Sequence, residues 1–157
     1  MSEISSHLND KGEARMVDVS SKEVTVRVAR AEGFVVVSTQ VLKLLREGDL
    51  PKGDALAVAR LAGIQAAKRT PELIPLCHPI AIHAVDIELE IKENGVSIKS
   101  EVRTADRTGV EMEALTSVAV AGLALIDMIK GKDREAHITD VRVTHKSGGK
   151  SGEWNRE

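Results

Sequence analysis

The alternation of apolar and polar residues along this chain predicts an antiparallel sheet. Residues 81–92 alternate between the two classes, with a slip near 85–87 that suggests a β-bulge. Asn94-Gly95 is a hairpin signal, and residues 96–105 form the returning strand. Further extended segments are predicted over residues 16–19, 23–31, 33–39 and 136–144.

Three other segments have the composition of helices. A short helix capped by Ser38 or Thr39 ends near residues 47–48, and a second runs over 54–68 with Asp54 as its cap. The third, over 110–130, is apolar enough to predict a buried helix. The resulting order, β–α(α)–β–β–α–β, predicts an α+β ferredoxin-like sandwich with helices packed on one face of the sheet.

The segment between the second helix and the alternating strand is predicted to be irregular. Residues 70–79 hold three of the four prolines of the chain, which favours a rigid loop. The chain of 157 residues fits a single domain spanning residues 1–157. Residues 1–15 and 147–157 are polar and are predicted to be flexible tails.

Composition excludes several classes of partner and compartment. A net charge of −2 provides no field that would recruit nucleic acid or an acidic membrane, and the two aromatic residues are too few for base stacking. The single cysteine excludes an intrachain disulfide and suits a reducing cytoplasm. The polar N-terminus has no secretory h-region, and the longest apolar run, 118–126, is too short to span a bilayer.

Asp127 is the one charged residue in the apolar segment 114–129, and Lys130 follows three positions later on the same helical face. An isolated carboxylate in such a segment is costly and is tolerated when it is paired or functional. The sequence leaves two interpretations open. The pair is either an ordinary ion pair at a helix end or a proton-transfer pair whose pKa values are moved toward neutrality.

The loop Leu76-Cys77-His78 is clamped between Pro75 and Pro79. No further ligands stand at metal-binding spacing, so a metal site is not expected here. An extended backbone would point Cys77 and His78 to opposite sides, which disfavours a cysteine–histidine nucleophile pair. His78 is therefore either a ligand-binding or acid/base residue or a structural residue of the loop.

Glu111-Met112-Glu113 opens the long helix. Acidic residues in a first turn stabilise the helix dipole, which explains them without any ligand. Alternatively, a carboxylate accepts hydrogen bonds from a guanine-type edge while Met112 covers the ring.

Lys52 and the C-terminal segment 146–152 are candidates for binding anions. Lys52 precedes a helix N-terminus, where it is either an anion ligand or a solvated turn residue. The segment 146–152 lacks the first glycine of a P-loop and has no room for a following helix, so a P-loop is rejected. It is either a lysine-bearing strap over phosphates or a disordered tail.

The spacing of Glu113 and Asp127 bears on assembly. Fourteen residues of helix separate them by about 21 Å, which is too far for one compact site. If both bind substrate, a neighbouring subunit supplies one of them. The small residues Ala119, Ala121, Gly122 and Ala124 would let another element approach closely.

Six segments of the chain together resemble the MoaC family, in register from about residue 7 to 153. They are 16–19 (MVDV), 52–54 (KGD), 62–70 (AGIQAAKRT), 74–79 (IPLCHP), 108–116 (TGVEMEALT) and 146–152 (KSGGKSG). The resemblance implies a ferredoxin-like fold, assembly as a hexamer built from three dimers, and a role in molybdenum cofactor biosynthesis. The implied reaction rearranges a cyclised dihydro-GTP intermediate to cyclic pyranopterin monophosphate with loss of pyrophosphate.

The same resemblance assigns the site residues. It implies that Asp127, Lys130 and Lys52 are catalytic. The substrate-binding residues it implies are Leu76, Cys77, His78, Glu111, Met112, Glu113, Arg27 and Lys146. It implies no resident metal and no cofactor, and leaves open whether Mg²⁺ accompanies the phosphates.

Two other classes of function compete with the enzyme. A non-catalytic nucleotide-binding module would explain the fold and a guanine-accepting Glu113. A purely structural oligomer would explain the small residues of the long helix. Neither accounts for a carboxylate–lysine pair in an apolar helix.

Overall fold

The sheet contains five strands, each antiparallel to its neighbours, in a computed structural model that describes residues 7–157. The strands are β1 (Thr25–Val36), β2 (Ala84–Ile91), β3 (Gly95–Asp106), β4 (His137–Ser147) and β5 (Trp154–Asn155). Their spatial order is β2-β3-β1-β4-β5, so β3 lies between β1 and β2 and the last two strands form the other edge.

The helices are α1 (Thr39–Glu47), α2 (Ala55–Lys68), α3 (Thr70–Leu73) and α4 (Glu111–Ile129). The helix α4 packs across β1, β3 and β4, and α2 packs beside it over β2. Chain order and layering are those of the α+β ferredoxin-like sandwich, which confirms the predicted fold class.

Gly63 allows α2 and α4 to approach each other closely. A Cβ at this position would stand 2.9 Å from the carbonyl oxygen of Ser117 and 3.2 Å from the Cβ of Ala121. Two of the small residues of α4 therefore serve packing within the chain: Ala121 faces Gly63, and Gly122 packs against Ile138 of β4.

The helix α4 is the central element of the core. Val118, Leu125 and Ile129 on it are fully buried members of the hydrophobic core. Among the described residues α4 is also the one helix long and apolar enough to cross a membrane, but half of its apolar window is buried inside the protein. A core helix has the same composition, because it too is surrounded by apolar side chains.

Four local predictions differ from the structure. Residues 23–31 and 33–39 were predicted as separate extended segments, but β1 is one strand that continues through Gly33. The β2–β3 register is unbroken from Ala84 to Ile91, so the bulge near 85–87 is wrong; the alternation slips because residues 81–83 precede the strand. The register shifts lie instead between β1 and β4.

The other two differences concern residues 16–19, which are in no strand, and the start of the proline-rich segment. Thr70–Leu73 forms α3, because a proline in the first turn of a helix loses no intrahelical hydrogen bond. The strand β5, which no pattern predicted, pairs Trp154 with Lys146 and Asn155 with His145.

Candidate active site

The C-terminal end of α4 brings together the three predicted catalytic residues. The Nζ atom of Lys130 lies 2.8 Å from Asp127 Oδ1, as expected for a pair three residues apart on a helix. Lys52 reaches the same place from the turn before α2, where Gly53 adopts a φ of 96°. Its Nζ donates to the backbone oxygen of Asp127 at 2.8 Å and lies 3.8 Å from Asp127 Oδ2.

These three side chains are well hydrated in the single chain. The side chains of Asp127 and Lys130 are each 60% exposed, and that of Lys52 is 49% exposed. The hydrogen bond and charge of Lys130, followed by the charge of Lys52, lower the pKa of Asp127. In the single chain the environment of Asp127 is therefore that of the ordinary ion pair, one of the two interpretations the sequence left open, because the helix end is exposed to solvent and both neighbours are cations.

The N-terminal end of α4 brings together most of the predicted substrate-binding residues. A cleft of about 290 Å³ lies between this helix end, the proline-rich loop and the segment around Val17. It is lined by the predicted residues Leu76, Cys77, His78, Glu111 and Met112, and by Val17, Val19, Lys22, Thr108 and Gly109.

Glu113 and Cys77 form a partly buried pair beside this cleft. The Cys77 thiol donates to Glu113 Oε1 over 3.5 Å, and Glu113 is only 1% exposed. Within residues 7–157 the other oxygen, Oε2, has no hydrogen-bond partner. Burial raises the pKa of Glu113. Burial, and next the Glu113 carboxylate, raise the pKa of Cys77 to about 11, so the thiol is a donor here and not a nucleophile.

His78 links the proline-rich loop to the segment around Val17, and both line the cleft. Its Nε2 lies 2.5 Å from the backbone oxygen of Val17, and because a carbonyl only accepts, Nε2 carries the proton. This contact holds the segment 16–19 against the loop. The contact supports a structural role for His78. The side chain still lines the cleft, so a role in binding stays open.

A second, smaller cleft of about 170 Å³ adjoins the first and holds Arg27 and Lys146. The two clefts share Thr108, Gly109 and Glu111 as lining residues. Lys146 Nζ lies 3.3 Å from Glu111 Oε1, so this first-turn carboxylate pairs with a cation of β4. Positive charge for an anionic ligand thus stands next to the cleft that holds Glu111 and Met112.

A larger cleft, of about 570 Å³, opens on the sheet face away from the helices. Its rim carries charged pairs such as Arg30 with Glu101, at 2.6 Å, and none of the predicted site residues lines it. We assign the site to α4 because the convergent acceptors, cations and perturbed pKa values lie there. In the described part of the chain no group of three His, Cys, Asp or Glu residues is placed to hold a metal ion.

The MoaC family model matches residues 16–149 of the chain. The chain belongs to the MoaC family. Relatives named cyclic pyranopterin monophosphate synthase come from Streptomyces griseus subsp. griseus and Nocardioides sp. The first is 61% identical over 150 residues, covering 96% of this chain and 85% of the relative. The second is 57% identical over 153 residues, covering 96% and 94%.

A third relative of that name, from Parvibaculum lavamentivorans, is 56% identical over 150 residues and covers 94% of each chain. The family match includes both ends of α4 and the turn of Lys52, and it ends at Gly149. The residues beyond it, including Ser151 and strand β5, lie outside the matched segment.

Sequence reasoning did not assign roles to several residues that line the two clefts. Thr108 and Gly109 connect the clefts, and the backbone oxygens of Asp106 and Arg107 bind Arg27. Thr108 and Gly109 stand inside a family motif, so motif position was a signal for them. No sequence signal could have pointed to the backbone carbonyls of Asp106 and Arg107, because every residue type supplies a carbonyl.

The predicted residues thus form two groups at opposite ends of one helix. Asp127, Lys130 and Lys52 form one group, and the residues around Glu113 form the other. Helical rise separates Asp127 from Glu113 by about 21 Å. A single chain therefore does not bring the two groups into contact with one small substrate.

Proposed function

We propose that this chain is a cyclic pyranopterin monophosphate synthase of molybdenum cofactor biosynthesis. It converts the cyclised dihydro-GTP intermediate into cyclic pyranopterin monophosphate and pyrophosphate, without redox change. The observation that carries the proposal is the Asp127 carboxylate held between two lysine ammonium groups, at 2.8 and 3.8 Å, in a chain of the MoaC family. The names of relatives at 56–61% identity support the same activity.

The acid/base steps fall to Asp127 and Lys130. Opening the imidazole-derived ring and closing the pyran ring move protons between nitrogen, carbon and oxygen atoms. The Lys130 ammonium is a proton donor, and Asp127, whose pKa is lowered, is an acceptor that stays ionised at neutral pH. Covering the pair with a neighbouring subunit and substrate would desolvate the Asp127 carboxylate and raise its pKa from this lowered value.

The step that forms the cyclic phosphate depends on nearby positive charge more than on proton transfer. A sugar hydroxyl oxygen attacks the α-phosphorus, the new P–O bond closes the cyclic phosphate, and pyrophosphate leaves with the electrons of the broken bond. Lys52, Lys130, Arg27 and Lys146 offset the negative charge of the transition state. Any Mg²⁺ enters as part of the substrate, on its phosphates.

The purine end of the substrate binds at the N-terminus of α4. Glu113 accepts hydrogen bonds from the adjacent N–H donors of the guanine-derived ring, which would satisfy the unpartnered Oε2. Met112, 39% exposed, covers the ring face, and Leu76 and Cys77 form the opposite wall.

Because these parts lie at opposite ends of α4, the site is built between subunits. We propose a homo-oligomer, a hexamer of three dimers in the cytoplasm, in which α4 of one copy supplies the purine end and α4 of another supplies Asp127 and Lys130. Exposed apolar side chains on α2 and α4 support such packing; they are Val58, Leu61 and Leu123.

To test this activity, the cyclised intermediate is added to the purified protein, and the pyrophosphate and pterin that form are both measured. Wild type forms both in equal amounts. Lys130→Ala removes product formation but keeps the circular dichroism of the wild type, because its side chain is exposed. Lys132→Ala, also exposed and just beyond the site, is the matched control and keeps full activity.

An active Lys130→Ala or Asp127→Ala enzyme contradicts the catalytic assignment. Binding of the intermediate without pyrophosphate release identifies a nucleotide-binding module instead.

The shared site has a separate test. Asp127→Ala and Glu113→Gln are each inactive alone but regain activity when refolded together, since mixed oligomers contain some sites with both residues intact. No recovery in confirmed mixed oligomers, or full activity in a strict monomer, refutes a site between subunits.

A further inference from the structure

The carboxylate of Asp133 links the chain just after α4 to the start of α1. Asp133 Oδ2 accepts a hydrogen bond from the backbone N–H of Ser38 at 2.7 Å, and Oδ1 accepts one from the backbone N–H of Glu135 at 3.0 Å. The backbone N–H of Asp133 donates to the carbonyl oxygen of Ile129, the last residue of α4, at 3.1 Å. Hydrogen bonds to an ionised acceptor are stronger than those between neutral groups, so Asp133 is a firm connection between the two helices.

The helix that Asp133 binds is itself fixed in the core. Val41 and Leu42 of α1 are buried members of the hydrophobic core. Ser38 caps this helix, because its Oγ accepts from the backbone N–H of Val41 at 3.2 Å. The side chain of Ser38 therefore holds α1, while its backbone N–H holds Asp133. In this way α1 provides a fixed point for the chain that leaves α4.

Two connections join the region of α1 to the end of α4. Lys52, in the turn between α1 and α2, donates to the backbone oxygen of Asp127 at 2.8 Å. Ser38, just before α1, donates to Asp133. The joined residues stand 75 and 95 positions apart in the chain. Lys130 lies between the two connections, so the geometry of the ion pair that it forms with Asp127 depends on both of them.

The connection through Asp133 is the better suited of the two to fix the helix end. The side chains of Lys52 and Asp127 are 49% and 60% exposed, and exposed ion pairs contribute little to stability. The bond at Asp133 is partly buried. The last turn of a helix has carbonyls without partners inside the helix, and Gly131, directly after the cap, adds a flexible backbone. Loss of the Asp133 contact would therefore loosen the turn that carries the proposed acid/base pair.

We propose that Asp133 is a positioning residue: bound to the N–H of Ser38, it keeps the last turn of α4 in the orientation in which Asp127 and Lys130 meet Lys52. The inference rests on the proposed function, because the acid/base steps of that reaction require this geometry. Asp133 acts through the other residues and does not touch the substrate. A displacement of about 1 Å in a site can cost on the order of a hundredfold in rate.

Two substitutions at position 38 separate the contact to Asp133 from the capping role of Ser38. Ser38→Ala and Ser38→Pro both remove the hydroxyl that caps α1. Proline also removes the backbone N–H, and its ring carbon replaces the hydrogen that points at Asp133 Oδ2. The φ of Ser38, −67°, is one that proline adopts without strain. A difference between the two variants therefore reports the contact to Asp133.

The first measurement is the kinetics of pyrophosphate release. We expect kcat to fall by roughly tenfold to a hundredfold in Ser38→Pro and in Asp133→Ala, and to stay within about threefold of the wild type in Ser38→Ala. KM should change less than kcat, because the ring of the substrate binds at the other end of α4. Asp133→Asn keeps an oxygen that accepts from Ser38, so its kcat should exceed that of Asp133→Ala.

The pH profile of kcat separates positioning from a general loss of stability. The hydrogen bond and charge of Lys130, followed by the charge of Lys52, lower the pKa of Asp127. When the helix end moves and these cations are displaced, the pKa of Asp127 rises. The acid limb of kcat should therefore move to higher pH in Ser38→Pro and Asp133→Ala, and stay in place in Ser38→Ala.

Hydrogen exchange followed by mass spectrometry measures the same contact without substrate. The peptide that covers residues 126–133 should exchange faster in Ser38→Pro and Asp133→Ala than in the wild type, and at the wild-type rate in Ser38→Ala. Thermal unfolding shows which variants are folded. If Ser38→Pro does not fold, the comparison of Asp133→Ala with Asp133→Asn decides, and if Asp133→Ala does not fold, the Ser38 pair decides.

A Ser38→Pro protein with the kcat, acid limb and exchange of Ser38→Ala would overturn the inference, and so would an Asp133→Ala protein with wild-type values. The expected pattern of hydrogen exchange in a protein that releases no pyrophosphate from the intermediate contradicts the proposed function alone.

Discussion

Glu113 offers the sharpest physical test, because one isosteric change should raise stability and lower function together. Glu113→Gln keeps the shape of the side chain and an oxygen to accept the Cys77 thiol, but it cannot ionise. In the wild type a carboxyl that is 1% exposed, with Oε2 unpartnered among the described residues, has to ionise largely without water.

The sign of the pH effect follows from the raised pKa of Glu113. Because the folded state holds this proton more tightly than the unfolded chain, the contribution of Glu113 to stability is complete below its ordinary pKa of 4.5. It is lost as pH rises through the folded-state pKa. The glutamine variant has no such loss, so its advantage is near zero in acid and grows as pH rises through the folded-state pKa of Glu113.

The expected size of the effect comes from burial of an unsatisfied polar group. Such a group costs about 1–3 kcal/mol, and each unit of pKa shift corresponds to about 1.4 kcal/mol. We therefore expect the free energy of unfolding of Glu113→Gln to exceed that of the wild type by about 1–3 kcal/mol at pH 8. For a chain of this length each kcal/mol raises the Tm by about 2–4 °C.

The assay is urea unfolding at a series of pH values from 4 to 8, at one protein concentration because oligomerisation adds to stability. Glu111→Gln is the matched control: it also removes a carboxylate from the first turn of α4, but this carboxylate is partly exposed and pairs with Lys146, so the variant should not exceed the wild type in stability at pH 8. Parallel curves for Glu113→Gln and the wild type, or a less stable variant at pH 8, would refute the reasoning. The same variant should bind substrate weakly, since it replaces one acceptor with a donor.

Three further predictions concern other contacts. Lys52→Ala removes the ammonium that binds the backbone oxygen of Asp127, and pyrophosphate release should fall about a hundredfold; normal turnover would remove Lys52 from the site. With a pKa of about 11, the thiol of Cys77 should react with iodoacetamide at pH 8 far more slowly than free cysteine. In Glu113→Gln the thiol should react faster than in the wild type, because a carboxylate that raises its pKa is gone. A wild-type rate like that of free cysteine would contradict the contact between Cys77 and Glu113. Gly63→Ala should lower the free energy of unfolding by about 1–3 kcal/mol through overpacking, whereas Gly131→Ala, where a methyl group meets no atom within 4 Å, should not; equal urea midpoints would contradict the close helix contact.

The local pattern of the sequence was sufficient for the main elements. The strands β2 and β3 and the helices α2 and α4 were predicted close to their observed bounds, because periods of 2 and 3.6 residues reflect one buried face. The predictions failed where local signals compete, as at α3, where prolines suggest a loop yet one of them fits a first turn. They also failed for β5, whose two residues are held by pairing with β4 and not by a core pattern.

The pairing of Asp127 with Lys130 was also a local property, because three residues of helix set it. Contacts between distant segments are not local properties, and the sequence did not predict them. Lys52 and Asp127 stand 75 positions apart, and Cys77 and Glu113 stand 36 apart. Their meeting depends on how the turn before α2 and the proline-rich loop dock on the two ends of α4.

By itself, the sequence determined the family and the fold class and predicted which residues carry chemistry, since motif and periodicity are written in residue order. Only the tertiary structure decided the environment of each group. It placed Asp127 in solvent with a lowered pKa, buried Glu113 with an unsatisfied oxygen, and bound the guanidinium of Arg27 to two backbone oxygens. Solvation and charge depend on what lies within a few ångströms in space, and that is set by packing between segments far apart in the chain.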